Sequence, residues 1–111
     1  MRSYYIDELQ KGDMQLLLPY LEAKGLQGSL AGVYWLFLPE HLLTGEQRAH
    51  RQECGPFVAS LEIGDTWLKA EMLIRGRGRL RCSCIAYATP EQRDWLVAQV
   101  DAMLRDLNIA V

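Results

Sequence analysis

The chain has 111 residues, of which 50% are hydrophobic and 23% are charged, so it can fold as one globular domain with a single core. Its formal charge of −2, from 12 basic and 14 acidic residues, argues against a dedicated nucleic-acid binder. Three cysteines do not form the even-numbered framework of a small secreted protein. The longest mostly apolar stretch, residues 30–39, is far shorter than the ~20 residues of a membrane span. We therefore expect a soluble cytoplasmic protein with no membrane partner.

Two helices are predicted near the start of the chain. Ser3 can cap a first short helix, and Asp13 can cap a second helix that ends at Gly25. Pro19 lies inside the second helix, where it removes a helical hydrogen bond. We therefore expect either a kink at that position or a helix that begins near Leu18.

Four strands are predicted in the middle of the chain. The first is apolar on both faces, and the other three alternate apolar and polar residues with tight turns between them. The four predicted strands are residues 33–38, 57–63, 67–75 and 79–88. A capping box at Thr44 predicts a short surface helix over residues 45–53, between the first two strands.

The last helix has the clearest boundaries in the sequence. Thr89 can cap it, Pro90 suits the first helical position, and Gln92 completes a capping box. Apolar residues then recur at helical spacing. Together these elements predict a single α+β domain over residues 1–111. The expected architecture is a two-layer sandwich: a four-stranded antiparallel sheet with the N-terminal and C-terminal helices on one face.

The stretch Arg75–Cys84, RGRGRLRCSC, holds four arginines and two cysteines in ten residues. On a regular strand, Cys82 and Cys84 point to the same face and lie ~6.6 Å apart along the chain. That separation is too large for a disulfide, which needs Cβ atoms about 3.8 Å apart. We interpret both cysteines as small core residues beneath a helix, which implies no cofactor.

A zinc site is the alternative interpretation of the cysteines. His50 and Cys54 stand four residues apart, so on a helix they share one face. With Cys82 and Cys84 they supply the ligand types of a tetrahedral Cys₃His zinc site. Neither pair has the C-x₂₋₄-C spacing typical of such sites, and a CxC pair needs a distorted strand. A second alternative is a redox role for Cys54, whose pKa nearby cationic residues could lower.

The arginines are spaced by two residues, so several of them share one face of a hairpin. We interpret Arg75, Arg77, Arg79 and Arg81 as a solvated sheet face, paired with acidic residues of neighbouring strands. Because the planar guanidinium group suits phosphate and carboxylate, the alternative is an anion-binding or RNA-binding hairpin.

No catalytic motif is present in the sequence, so we favour a non-catalytic protein and name no catalytic residue. His41 lies in a predicted loop with no nucleophile beside it in sequence. The outward face of the predicted sheet carries large apolar residues with a charged rim, which is typical of a partner surface. We expect a protein–protein interaction module that forms a homodimer. The residues expected at its contact surface are Trp67, Arg79, Arg81, Ile85 and Tyr87.

Overall fold

The structure, a computed structural model, describes residues 2–28 and 30–111 and combines three α-helices with a six-stranded antiparallel sheet. The predicted α+β class is confirmed, but the sheet has six strands rather than four. The elements are β1 Ser3–Ile6, α1 Lys11–Ala23, β2 Val33–Phe37, α2 Gly45–Cys54, β3 Phe57–Ile63, β4 Leu68–Glu71, β5 Leu73–Gly76, β6 Ala86–Tyr87 and α3 Pro90–Asp106. Within the described residues, no helix is both long and apolar enough to cross a bilayer.

The sheet is organised around β3, which pairs with β2 and with both β4 and β5. The predicted strand over residues 67–75 is interrupted at Met72, which separates β4 from β5. The backbone N–H of Met72 donates to the carbonyl of Arg2, and its carbonyl accepts from the N–H of Ala88. Arg2 comes just before β1, which pairs with β4, and Ala88 comes just after β6, which pairs with β5. The backbone of Met72 is therefore hydrogen-bonded to residues beside these two outer strands, and not to β3.

The predicted first helix at Ser3 is wrong, because this segment forms strand β1 along the edge of β4. Tyr4 and Ile6 pack against the core, whereas Tyr5 between them is 52% exposed. An isolated helix of so few residues is marginal, while β-branched and aromatic residues favour a strand. The free edge of β4 supplies hydrogen-bond partners that a short helix would lack.

Helix α1 confirms the second predicted helix, but it begins earlier, at Lys11. The backbone N–H of Gln10 donates to the Asp13 carboxylate at 3.3 Å, so Asp13 lies in the first turn of the helix. The helix continues through Pro19. Gly25 ends it with φ of +69°, a left-handed conformation that favours glycine.

Both predicted capping boxes are present, at the starts of α2 and α3. Thr44 and Thr89 each accept from the N–H of a glutamine three residues on, and each glutamine side chain accepts from the N–H of its threonine. The two glutamines, Gln47 and Gln92, are only 1% exposed. We call them the amide pair, because Gln92 Nε2 donates to Gln47 Oε1 at 3.0 Å and to the Leu42 carbonyl at 2.8 Å.

One hydrophobic cluster joins α1, α3 and the core face of the sheet. Leu61 and Met72 are buried in it, as the alternation in the strands predicts. The helices contribute Met14, Leu17 and Leu21 from α1 and Leu96, Val100, Met103 and Leu104 from α3.

The predicted fourth strand, residues 79–88, is also wrong. Only Ala86–Tyr87 is a strand, and residues 77–85 form an irregular segment that we call the arm. The N–H of Arg77 donates to the Pro56 carbonyl at 2.9 Å, and the N–H of Gly78 donates to the Cys54 carbonyl at 2.8 Å. The chain after β5 is therefore hydrogen-bonded to the end of α2 and the segment after it, and a regular hairpin does not form there.

A hydrogen bond from the Tyr4 hydroxyl to the Asp101 carboxylate, 2.7 Å long, joins β1 to α3 and raises the pKa of Tyr4 to about 12. An unfolded tyrosine titrates near pH 10, so this bond stabilises the fold fully below about pH 10. The contribution is lost as the pH rises from about 10 to about 12.

We expect Tyr4→Phe to lower the free energy of unfolding by about 1 kcal/mol at neutral pH, because it removes the bond to Asp101. The difference from the wild type should shrink above about pH 10. Urea unfolding across this pH range measures both effects. Tyr5→Phe is the matched control, since that side chain is exposed on the same strand. If the difference in unfolding free energy between the wild type and Tyr4→Phe does not change with pH, the Tyr4 hydroxyl does not stabilise the fold through Asp101.

Candidate metal centre

Helix α2 and the arm together bring four potential metal ligands to one point. His50 and Cys54 lie one turn apart on α2, and Cys82 and Cys84 lie on the arm. One ligand atom from each of these residues lies within 4.8 Å of all the others. The structure thus brings together all four residues of the predicted zinc alternative.

The CxC segment adopts a turn instead of a strand, so both of its sulfur atoms can face α2. The N–H of Ile85 donates to the carbonyl of Cys82 at 3.1 Å and closes this turn around Cys84. The objection that a CxC pair needs a distorted strand therefore does not apply here. Its basis was the strand predicted over residues 79–88, which the structure replaces with the arm.

The C-terminal end of α2 is held close to the chain that follows β5. A Cβ atom at Gly76 would lie 2.4 Å from the Cys54 carbonyl oxygen, and one at Gly78 would lie 2.4 Å from that of Glu53. A backbone oxygen cannot yield as a flexible side chain can, so only glycine fits at either position. These two glycines allow Cys54 to approach the cysteines of the arm.

The arm is fixed to α2 by contacts outside the cluster as well. Gln47 of the amide pair donates from Nε2 to the Cys84 carbonyl at 3.3 Å. The Ser83 hydroxyl donates to the carboxylate of Glu46. Because Ser83 lies between the two cysteines of the arm, these contacts hold the CxC turn against the first turn of α2. Outer contacts of this kind position ligands in metal sites.

The three thiols differ in their tendency to ionise. A hydrogen bond from the Cys84 backbone N–H, with further hydrogen bonds from the Cys84 thiol and His50, lowers the pKa of Cys82 to about 6. His50 Nδ1 lies 3.1 Å from the Cys82 sulfur. Burial raises the pKa of Cys84 to about 12 and also raises that of Cys54. The cluster therefore favours one thiolate and opposes further negative charge.

The geometry of the cluster suits a small tetrahedral cation. Zn–S bonds of about 2.3 Å place the ligand atoms of a tetrahedral site about 3.8 Å apart, so modest side-chain movements are enough to reach it from the observed separations. Four protein ligands fill all four positions of such a site. This ligand count is typical of structural zinc sites, because catalytic sites leave one position for water or substrate.

The four arginines near the arm differ in their contacts. Arg75 pairs with Glu71 at 2.9 Å, and Arg79 pairs with Glu53 at 3.2 Å. The guanidinium group of Arg77 lies 5.7 Å from the centre of the Trp35 ring. Arg77 and Arg81 form no ion pair with a carboxylate in the described parts of the chain.

The residues of the predicted interaction surface lie in two groups. Trp67 stacks against Tyr5 with the ring centres 5.8 Å apart, next to the start of β4. Tyr87 pairs with Leu73, so about 20 Å separates it from Trp67 along the strand. The other three residues, Arg79, Arg81 and Ile85, lie on the arm, which leads into the strand of Tyr87.

The sequence did not indicate several residues that position the site. Gln47 and Gln92 were predicted as capping residues, but no pattern showed that they contact each other or that Gln47 binds the arm. Gly76 and Gly78 fall in the tight turn predicted between the strands over residues 67–75 and 79–88. Their role at the end of α2 depends on contacts between segments that are distant in the sequence.

The chain matches no model of a protein family, no curated protein and no solved structure with which it was compared. The fold and the cluster therefore define it only as an α+β protein with a Cys₃His arrangement between a helix and an arm of the sheet.

We expect Gly76→Ala to lower the free energy of unfolding by about 1–3 kcal/mol, because the new methyl group overlaps the Cys54 carbonyl. The matched control is Gly12→Ala in α1, where a Cβ meets nothing within 4 Å and should stabilise the helix by about 0.5–1 kcal/mol. Urea unfolding of the two variants tests the difference. Equal stabilities would show that the chain after β5 can move away from α2 at little cost.

Proposed function

We propose that the protein binds one structural Zn²⁺ ion through His50, Cys54, Cys82 and Cys84. The observation that supports this proposal is the convergence of one ligand atom from each residue within 4.8 Å. Two of these residues come from a helix and two from a segment nearly thirty positions later, so their meeting depends on the fold. Thiolate and imidazole are the ligands that structural zinc prefers.

Zinc would stabilise the position of the arm on α2. Three thiolates and one divalent cation carry a net charge of −1, whereas three thiolates alone would carry −3 in a partly buried site. The ion thus offsets the cost of ionising Cys54 and Cys84, which are buried. A reducing compartment such as the cytoplasm, which keeps the three thiols free, suits this function.

Metal analysis of untagged protein purified without chelator tests the proposal. We expect one zinc per chain by native mass spectrometry. Exchange with Co²⁺ should give the visible absorption of a tetrahedral ion and thiolate charge-transfer bands in the ultraviolet. Removal of zinc by a chelator should lower the midpoint of thermal unfolding.

Histidine variants give a matched comparison, since the chain has only two histidines. His50→Ala should weaken metal binding strongly, whereas His41→Ala, in the 3₁₀ turn Glu40–Leu42, should leave it unchanged. His50→Cys should retain zinc, because four thiolates also form a structural site. The proposal fails if the protein carries no metal and takes up neither ion, or if His50→Ala and Cys84→Ser bind metal as the wild type does.

We also propose a second function, self-association through the face of the sheet that carries Tyr5 and Trp67. The supporting observation is the exposure of large apolar side chains around this face, with Tyr5 52% exposed, Tyr87 48% exposed and Leu80 92% exposed. A standard interface covers about 800 Å² on each partner, which is broad enough to include the groups around Trp67 and Tyr87. In this proposal the partner is a second copy of the chain.

Sedimentation over a range of protein concentrations tests self-association. We expect the mass to rise towards that of a dimer, and Trp67→Ala or Tyr87→Glu to prevent the rise. Leu16→Glu is the control, because Leu16 is half exposed on α1, away from the proposed face. If the mass stays that of a monomer at every concentration, the self-association proposal is wrong, and the zinc proposal is unaffected.

A further inference from the structure

A cavity of about 190 Å³ lies between the sheet and the arm, apart from the cysteine cluster. Its lining residues are Trp35, Val58, Arg75, Gly76, Arg77, Leu80 and Ile85. Strands β2, β3 and β5 supply the first four of these residues, and the arm supplies the last three. The cavity therefore has one rigid wall and one wall whose shape depends on the arm.

The apolar part of the cavity fits one planar ring. Val58 is fully buried although it pairs with Arg75, on the strand face opposite the main core. Trp35 and Ile85, both half-buried, and the exposed Leu80 complete the apolar lining. A cavity of about 150 Å³ accepts benzene in an engineered protein, so about 190 Å³ admits a single six-membered ring but leaves little room for more.

The polar part of the cavity is cationic. Between Glu71 and Glu91 the chain carries four arginines and no acidic residue, although its net charge is negative. Arg75 already pairs with Glu71, but Arg77 forms no ion pair in the part of the chain that the structure describes. Arg77 is exposed, so its guanidinium group can turn from the Trp35 ring towards an anion. Its planar fork of donors matches a phosphate group.

We propose that this cavity binds a pyrimidine nucleotide, with the base against Trp35 and the phosphate on Arg77. A ring next to an anionic group is the shared chemistry of a free mononucleotide and of one unit in a single-stranded nucleic acid. Stacking on an aromatic side chain and charge pairing with arginine are the two interactions by which such ligands are generally held. Arg81, also exposed and without an ion pair among the described residues, extends the cationic surface along the arm for a strand.

Titrations followed by nuclear magnetic resonance test this binding site. The probes are uridine monophosphate, a single-stranded oligouridylate and inorganic phosphate. The protein has three tryptophans, and we expect the indole N–H signal of Trp35 to shift while that of Trp95, on α3, does not. Inorganic phosphate lacks the ring, so at the same concentration it should shift the Trp35 signal less than uridine monophosphate does.

Arg77→Gln should weaken binding about tenfold, whereas Arg105→Gln, in the last turn of α3, should leave it unchanged. Arg77→Lys keeps the charge but not the planar fork and should give an intermediate affinity. For the oligouridylate, the slope of log affinity against log salt should fall by about 0.7 in Arg77→Gln.

The two sources of nucleotide are separated by the titrations. Equal affinity per site for uridine monophosphate and oligouridylate indicates a free mononucleotide, and binding of the oligouridylate alone indicates a single strand. The proposal is overturned if neither probe shifts the Trp35 signal, or if Arg77→Gln binds as tightly as the wild type. Metal content and sedimentation of the same samples keep this result separate from the zinc and self-association proposals.

Discussion

The buried contact between Gln47 and Gln92 connects the two helices that flank strands β3 to β6 and the arm in the sequence. Each side-chain amide caps its own helix, and together they link the starts of α2 and α3. The Nε2 of Gln47 donates to the Cys84 carbonyl. Both residues are almost completely buried, so loss of either amide would leave carbonyl or N–H groups without partners, at about 1–3 kcal/mol each. The position of the arm thus depends on the same two amides that begin the helices.

The cysteine cluster and the cavity share no residue, but both include residues of the arm and both require its irregular conformation. A regular strand over residues 77–85 would separate Cys82 and Cys84 along the sheet. It would also remove the turn that brings Ile85 to the cavity wall. The close approach of Gly76 to the end of α2 is what makes this conformation possible. One departure from regular pairing therefore creates both candidate sites.

Local sequence patterns predicted α2, β3 and α3 well, because their signals are local. A threonine with a glutamine three residues later marks a helix start, and alternation over Phe57–Ile63 marks a strand. The errors arose where contacts between distant segments decide the structure. Strand β1 depends on the free edge of β4, and the arm depends on backbone bonds to α2. The four cluster residues were identified from their chemistry, but their convergence required the fold.

The order of the ligands along the chain has a consequence for assembly. The hairpin formed by β3, β4 and β5 lies between the helical pair, His50 and Cys54, and the pair on the arm. In the folded chain this hairpin returns the arm to the end of α2 and brings the two pairs together. An ion held by all four residues would therefore link the segment before the hairpin to the segment after it. The ion would then act as a cross-link between the two ends of the hairpin, in addition to the apolar core.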